Sequence, residues 1–249
     1  MNRLSLLIIA LFLLVSTQAQ QSAAIPPFIF PELDQALIQL WLPADAEDQQ
    51  AVEKAYAVLA EQWVHTREEV SNFPQDAYNP YLLVGTVDAL LVHLEEAVER
   101  PDFFEQKAII DAIQWEFQTI REFHRQNYYP LDLWWEVQAV FVEIHDATND
   151  PKLALLEWQE LECLFDEMVC LLHDYEIRAE EHLTRYAPAV DEDAHKAAMN
   201  RAYECIESYQ EALTFGYQDQ LVWPCDQIAG ALRTVLQCYL PQEKDRIVQ

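Results

Sequence analysis

"FPQDAYNPYLLVGTVDALLVHLEEAV" (residues 73–98) lies without a gap on "FHRQNYYPLDLWWEVQAVFVEIHDAT" (123–148), with Phe, Tyr, Pro, Leu, Val, Ala, Val and Ala shared at eight of 26 positions. Upstream, Leu59, Ala60, Trp63 and Val70 fall on Ile109, Ile110, Ile113 and Ile120 in the same helical phase. The chain therefore repeats with a period of about 50 residues, and the unit reads as a long helix, a Tyr-x-Pro turn and a shorter helix. Proline suits that turn because it pre-sets the first helical dihedrals where its missing N–H has no partner to lose. Residues 190–240 read as a diverged third copy, with Phe215 in the place of Phe73 and Ala231-Leu232 in the place of Ala89-Leu90.

The punctuation agrees. Three glycines (Gly85, Gly216, Gly230) are too few for a fold rich in tight turns, and the twelve prolines fall at or near breaks in an apolar spacing of three and four. This predicts an all-α fold of about seven helices, at 46–71, 80–99, 102–126, 130–147, 152–185, 190–215 and 223–240. The expected organisation is a signal peptide (1–19), an irregular N-terminal arm (20–45) and a single helical domain (46–249). Within that domain, tandem hairpins at 46–100, 101–150 and 190–240 flank a central long helix at 152–185, forming a bundle or short solenoid.

Met-Asn-Arg, an apolar block from Leu4 to Val15, and small residues at Thr17 and Ala19 are the three parts of a secretory leader. The apolar block is shorter than the roughly 20 residues a membrane span needs. Cleavage is expected after Ala19, and with it a periplasmic or secreted protein without a membrane span. Fifteen basic against 43 acidic residues give a net charge of −28. Such a chain repels nucleic acid, which is bound through clustered Lys and Arg.

"ECLFDEMVCLLHDYE" (162–176) sets two cysteines, a histidine and five acids within about four helical turns. At about 100° per residue, Leu161, Leu164, Phe165, Met168, Leu171, Leu172 and Tyr175 form one broad apolar stripe. Cys163 and Cys170 project from the opposite side, on a line that Leu156 and Ile177 extend every seven residues. Two apolar lines predict a helix packed on both sides, with Cys163 and Cys170 buried in a seam. The same face also gathers Cys163, Glu167, Cys170 and His173 as potential ligands for a soft or borderline metal, although no second Cys/His pair completes a closed zinc site. Cys163 and Cys170 stand about 10 Å apart on one helix and cannot join each other. A disulfide would have to reach Cys205, Cys225 or Cys238, which would staple the C-terminal half.

His93 with Glu96 and Glu143 with His145 occupy matching turns of the two repeats and could converge on a cation. A bundle di-metal site, however, uses two Glu-x-x-His pairs, and Glu192-x-x-His195 alone has that spacing. "NYYPLDLWWE" (127–136) places Tyr128, Tyr129, Trp134 and Trp135 at a hairpin corner, where an aromatic cluster can form a docking patch with Trp134 as its outward member. No haem-attachment, phosphate-loop, serine-elbow or zinc-protease pattern occurs, so no cofactor is implied and no catalytic motif is evident. The sequence thus describes an exported, acidic helical-repeat binding protein that holds a protein partner or ligand. A periplasmic metal-binding protein is the second reading, and an enzyme without a recognisable motif is the third.

Overall fold

The computed structural model describes residues 29–72, 79–123, 129–150, 155–186 and 190–240. Among these residues the regular structure is helical, with no strand. Eight α-helices follow one another: α1 (Pro31–Asp45), α2 (Gln49–Ser71), α3 (Pro80–Glu99), α4 (Phe103–Phe123), α5 (Pro130–Asn149), α6 (Leu155–Tyr186), α7 (Glu192–Phe215) and α8 (Val222–Gln237). A single 3-10 turn at Gln218–Gln220 joins α7 to α8. The leader at 1–19 lies outside the described residues.

Local chemistry explains the boundaries. Proline opens α1, α3 and α5, at positions 31, 80 and 130. Asp48 caps α2 through the Ala51 N–H at 3.1 Å, and Asn79 caps α3 through the Tyr81 N–H at 3.1 Å. Asp191 accepts from the Asp193 and Ala194 N–H groups at the start of α7. At the other end of α7, Gly216 takes the left-handed conformation (φ 71°) that a side chain disfavours.

Packing runs in antiparallel pairs, α1 on α2, α3 on α4, α5 on α6 and α7 on α8. In addition α2 lies against α3 and α1 closes on α4, while α6 lies against α7 and α5 closes on α8. The outcome is two four-helix rings, α1–α4 and α5–α8, which meet where α4 touches α5 and α1 touches α8. One hydrophobic core extends through both.

The repeat is visible in burial. Val84 and Trp134, Val87 and Val137, Leu91 and Phe141, and Leu94 and Ile144 are pairs fifty residues apart, and all eight side chains are buried. Leu59 with Ile109, Trp63 with Ile113 and Val70 with Ile120 behave alike in α2 and α4. The hairpins nevertheless start one helix earlier than the sequence pattern suggests. Residues 31–45, expected to be irregular, form α1, which pairs with α2 and displaces the pairings up to α6, while the hairpin expected at 190–240 occurs as α7 on α8. Thus α4 and α5 meet only across the junction between rings, and α6, the long helix expected between the hairpins, is the close partner of α5 and lies against α7 as well. The proposed third copy does not keep the phase, since Ala231 and Leu232 are buried while Ala89 is exposed and Leu90 half-buried.

Cys163 and Cys170 are exposed, against the expectation of a buried seam. The reason is that α6 meets both neighbours with a single stripe, Leu161, Phe165, Met168, Leu172, Tyr175 and Ala179, all buried. Its opposite line faces outward, and Ile177 on that line is exposed too; the side chain of Leu156 lies outside the described set. Cys205, Cys225 and Cys238 are buried, and all five cysteines are free thiols, so the expected staple is not formed. Trp134 is the largest fully buried side chain among the described residues, and its ring lies tilted against Tyr175 of α6 with centroids 5.0 Å apart. Trp134→Ala should cost about 3–5 kcal/mol in urea denaturation, whereas Cys170→Ala should stay within about 0.5 kcal/mol. A larger loss for Cys170→Ala would mean that its face of α6 is covered.

Candidate functional site

Most residues singled out in the sequence stay apart or turn inward. Glu167 and His173 are exposed along with the two cysteines of α6, and the His173 ring approaches the Glu176 carboxylate at 3.9 Å. His93, Glu96 and Glu143 are exposed on α3 and α5; His145, half-buried, lies near its own neighbour Asp146 at 3.7 Å. No group of three or more His, Cys, Asp or Glu side chains is placed to hold a metal ion among the described residues. Tyr129, Trp134 and Trp135 are buried rather than presented at a corner, and Tyr128 lies outside the described residues. Their burial follows from the position of α5, which is covered by α4, α6 and α8 at once.

The strongest electrostatic feature is the junction between the rings. Arg121 of α4, 1% exposed, grips both carboxylate oxygens of Asp132 of α5, with Nε donating at 2.8 Å. Its guanidinium lies over the Tyr129 ring, 4.5 Å from the centroid, and the Tyr129 hydroxyl donates to Asp34 of α1. Alongside, Gln118 of α4 donates to Glu136 of α5 at 2.6 Å. On the other line of contact, Asp45 at the end of α1 binds Arg233 of α8 and, at 3.0 Å, Lys107 of α4.

Burial raises the Asp34 carboxyl to about 6, against the opposing pull of Arg121. Asp132 is also raised by burial, and again Arg121 opposes the shift. Next to this group, the Tyr175 hydroxyl sits 2.7 Å from Nε2 of His195 and 2.9 Å from the Tyr239 hydroxyl. Burial lowers His195 to about 4, so its ring is neutral at ordinary pH. These are the residues that sequence reasoning missed. They are polar, far apart in the chain and follow no period; Glu192-x-x-His195 drew attention only as a ligand spacing. Their charged groups are enclosed and already paired, which is the chemistry of a lock between helices and not of a site open to substrate.

The outward feature is the α7–α8 corner. Phe215, Tyr217 and Trp223 are 66%, 65% and 65% exposed, with Val222 exposed beside them. The turn is held from within: Leu221 is fully buried, and Gln218 donates to the Thr148 carbonyl at 2.9 Å and to the Asp150 carbonyl at the end of α5. A phase signal marked these positions. The core stripe of α7 runs Ala202, Ile206, Tyr209, Leu213, and that of α8 runs Leu221, Cys225, Ile228, Leu232, so Phe215, Val222 and Trp223 fall off both. Trp134, by contrast, continues into Val137, Phe141 and Ile144.

The two displaced groups titrate in opposite senses. Asp34 is raised, so its stabilising contribution is present at low pH and is lost as pH rises through about 6. His195 is lowered, so its contribution is present above its unfolded value and is lost as pH falls through about 4. Relative to wild type, Asp34→Asn should gain about 1 kcal/mol per pH unit as pH rises from roughly 4 to 6, and His195→Gln should gain as pH falls across the same window. Urea denaturation at several pH values checks both; parallel profiles for wild type and variants would contradict the assigned environments.

No protein-family model, curated protein or solved structure matches the chain.

Proposed function

We propose that this is an exported, acidic helical-repeat protein that acts by binding, and that it holds a protein partner on the α7–α8 corner. The observation that supports this reading is the exposure of Phe215, Tyr217 and Trp223 on a turn fastened to the end of α5. Isolated apolar residues on a surface need no explanation, but three aromatics within nine residues form a patch. Tyr and Trp bring a large contact area at a small entropic cost, and they dominate the energetics of protein interfaces. A turn already held in place loses little further freedom on binding.

Export rests on the apolar block Leu4–Val15 and the small residues up to Ala19, which would deliver the chain to a periplasm or the exterior. No described helix is long and apolar enough to cross a membrane.

The test uses immobilised arrays of peptides, glycans and lipids probed with the mature protein, the Phe215→Ser/Trp223→Ser variant and a Trp115→Ser control. Trp115 is 64% exposed on α4, in the α1–α4 ring rather than the α5–α8 ring that carries the corner. The expected result is retention on peptides that the double variant loses and the control keeps. Retention that all three proteins share, or retention confined to glycans, would overturn the reading.

A further inference from the structure

The charge around the corner narrows the partner. Between Arg201 and Arg233 there are five acids, Glu204, Glu207, Glu211, Asp219 and Asp226, and not one lysine, arginine or histidine. Glu211, Asp219 and Asp226 are exposed and lie within four residues of an exposed aromatic. The last turn of α7 carries no base either. Along the chain from 202 to 232 the corner is therefore an apolar surface with acids and no base beside it, and this complementarity chooses among occupants.

A second copy of the chain would bring the same acids face to face, in a molecule whose net charge is −28. An anionic membrane surface or a nucleic acid would be repelled for the same reason. A neutral apolar partner would cover the aromatics but leave the acids without counter-charges. A polypeptide with lysine or arginine interleaved among apolar residues meets both demands. Its apolar side chains cover the rings, its ammonium or guanidinium heads reach the carboxylates, and an arginine stacks on a ring face, where cations are attracted.

We infer that the α7–α8 corner is a docking site for a basic amphipathic polypeptide segment, with Phe215, Tyr217 and Trp223 as its apolar floor and Glu211, Asp219 and Asp226 as its counter-charges. This rests on the binding reading given above and supplies the chemistry of the partner. Attraction between the acids and the partner speeds encounter and weakens with salt, while the aromatics hold the bound state.

The experiment measures fluorescence anisotropy of labelled synthetic peptides of about 20 residues, long enough for an amphipathic helix. One peptide alternates lysine and leucine faces, a second replaces every lysine with glutamate, and a third keeps the lysines but replaces leucine with serine. Each is titrated with the mature protein, with Phe215→Ser/Trp223→Ser, with Glu211→Gln/Asp219→Asn/Asp226→Asn and with Trp115→Ser, all checked for helicity by circular dichroism. The lysine–leucine peptide should bind most tightly and weaken severalfold from about 0.05 to 0.5 M salt. It should lose about tenfold or more in affinity with the aromatic variant and severalfold with the neutralised variant, with no change for Trp115→Ser. Equal binding of the glutamate–leucine peptide, still dependent on the aromatics, would overturn the basic partner and leave the corner as a docking site. Lysine–leucine binding indifferent to the aromatic variant, or no binding, would overturn the inference. So would corner-dependent binding to zwitterionic vesicles, which would name a membrane as the occupant, or a corner-dependent dimer in sedimentation, which would name a second copy.

Discussion

A buried positive charge must be answered, and Arg121 is answered from the other ring. Its bidentate partner Asp132 sits in the first turn of α5, next to Tyr129, whose ring lies under the guanidinium and whose hydroxyl is tied to Asp34 of α1. The rings are also joined by the Gln118–Glu136 hydrogen bond, the Asp45–Arg233 ion pair and apolar contact, the last of which tolerates sliding; Trp41 against Trp135, at 5.8 Å, is one such apolar contact. A bidentate ion pair does not tolerate sliding. Desolvation of two charges offsets most of what their attraction contributes, so the pair adds little net stability, but loss of one partner leaves a charge stranded. Its effect is on register: one setting of α1–α4 against α5–α8 satisfies Arg121, Asp132, Tyr129 and Asp34 together.

That setting bears on the outward face through α5. The helix begins at the junction, with Tyr129 and Asp132, and ends where Gln218 anchors the α7–α8 turn. Eighteen residues at 1.5 Å each separate Asp132 from Asp150, about 27 Å. Along the way Trp134, Val137, Phe141 and Ile144 are buried, so α5 is a stiff rod with its start clamped by charge and its end carrying the corner. Behind it, Tyr175 of α6 packs its ring against Trp134 of α5 and hydrogen-bonds with His195 of α7 and Tyr239 after α8, which ties these elements together. The buried thiols fit the same picture. Burial pushes Cys225 up to about 11 and raises Cys205 and Cys238, which keeps them as unreactive packing groups.

Helix placement was legible in the sequence because periodicity, caps and prolines act locally. Seven expected helices occur within a few residues of their places, and the fifty-residue match between 73–98 and 123–148 reappears as equivalent buried positions in α3 and α5. The error at α1 is also local in origin. Pro31 and Pro43 look like breaks, yet Pro31 opens the helix, where proline is welcome, and Pro43 falls in its last turn. One missed helix then shifted the pairings as far as α6, since antiparallel packing counts helices in order, and left the expected 190–240 hairpin in place as α7 on α8. Exposure was harder to read, because an apolar line such as Cys163, Cys170, Ile177 does not say whether a neighbour covers it. The Arg121 cluster was invisible, because residues 34, 121, 129 and 132 meet only after the rings close.

The most direct test of this account is the equilibrium urea denaturation of Arg121→Met, Asp132→Leu and the double variant. If the ion pair sets register and adds little net stability, each single variant loses about 3–5 kcal/mol, and the double variant recovers most of that loss while keeping one cooperative transition. Additive losses in the double variant, or a single variant within about 0.5 kcal/mol of wild type, would contradict it.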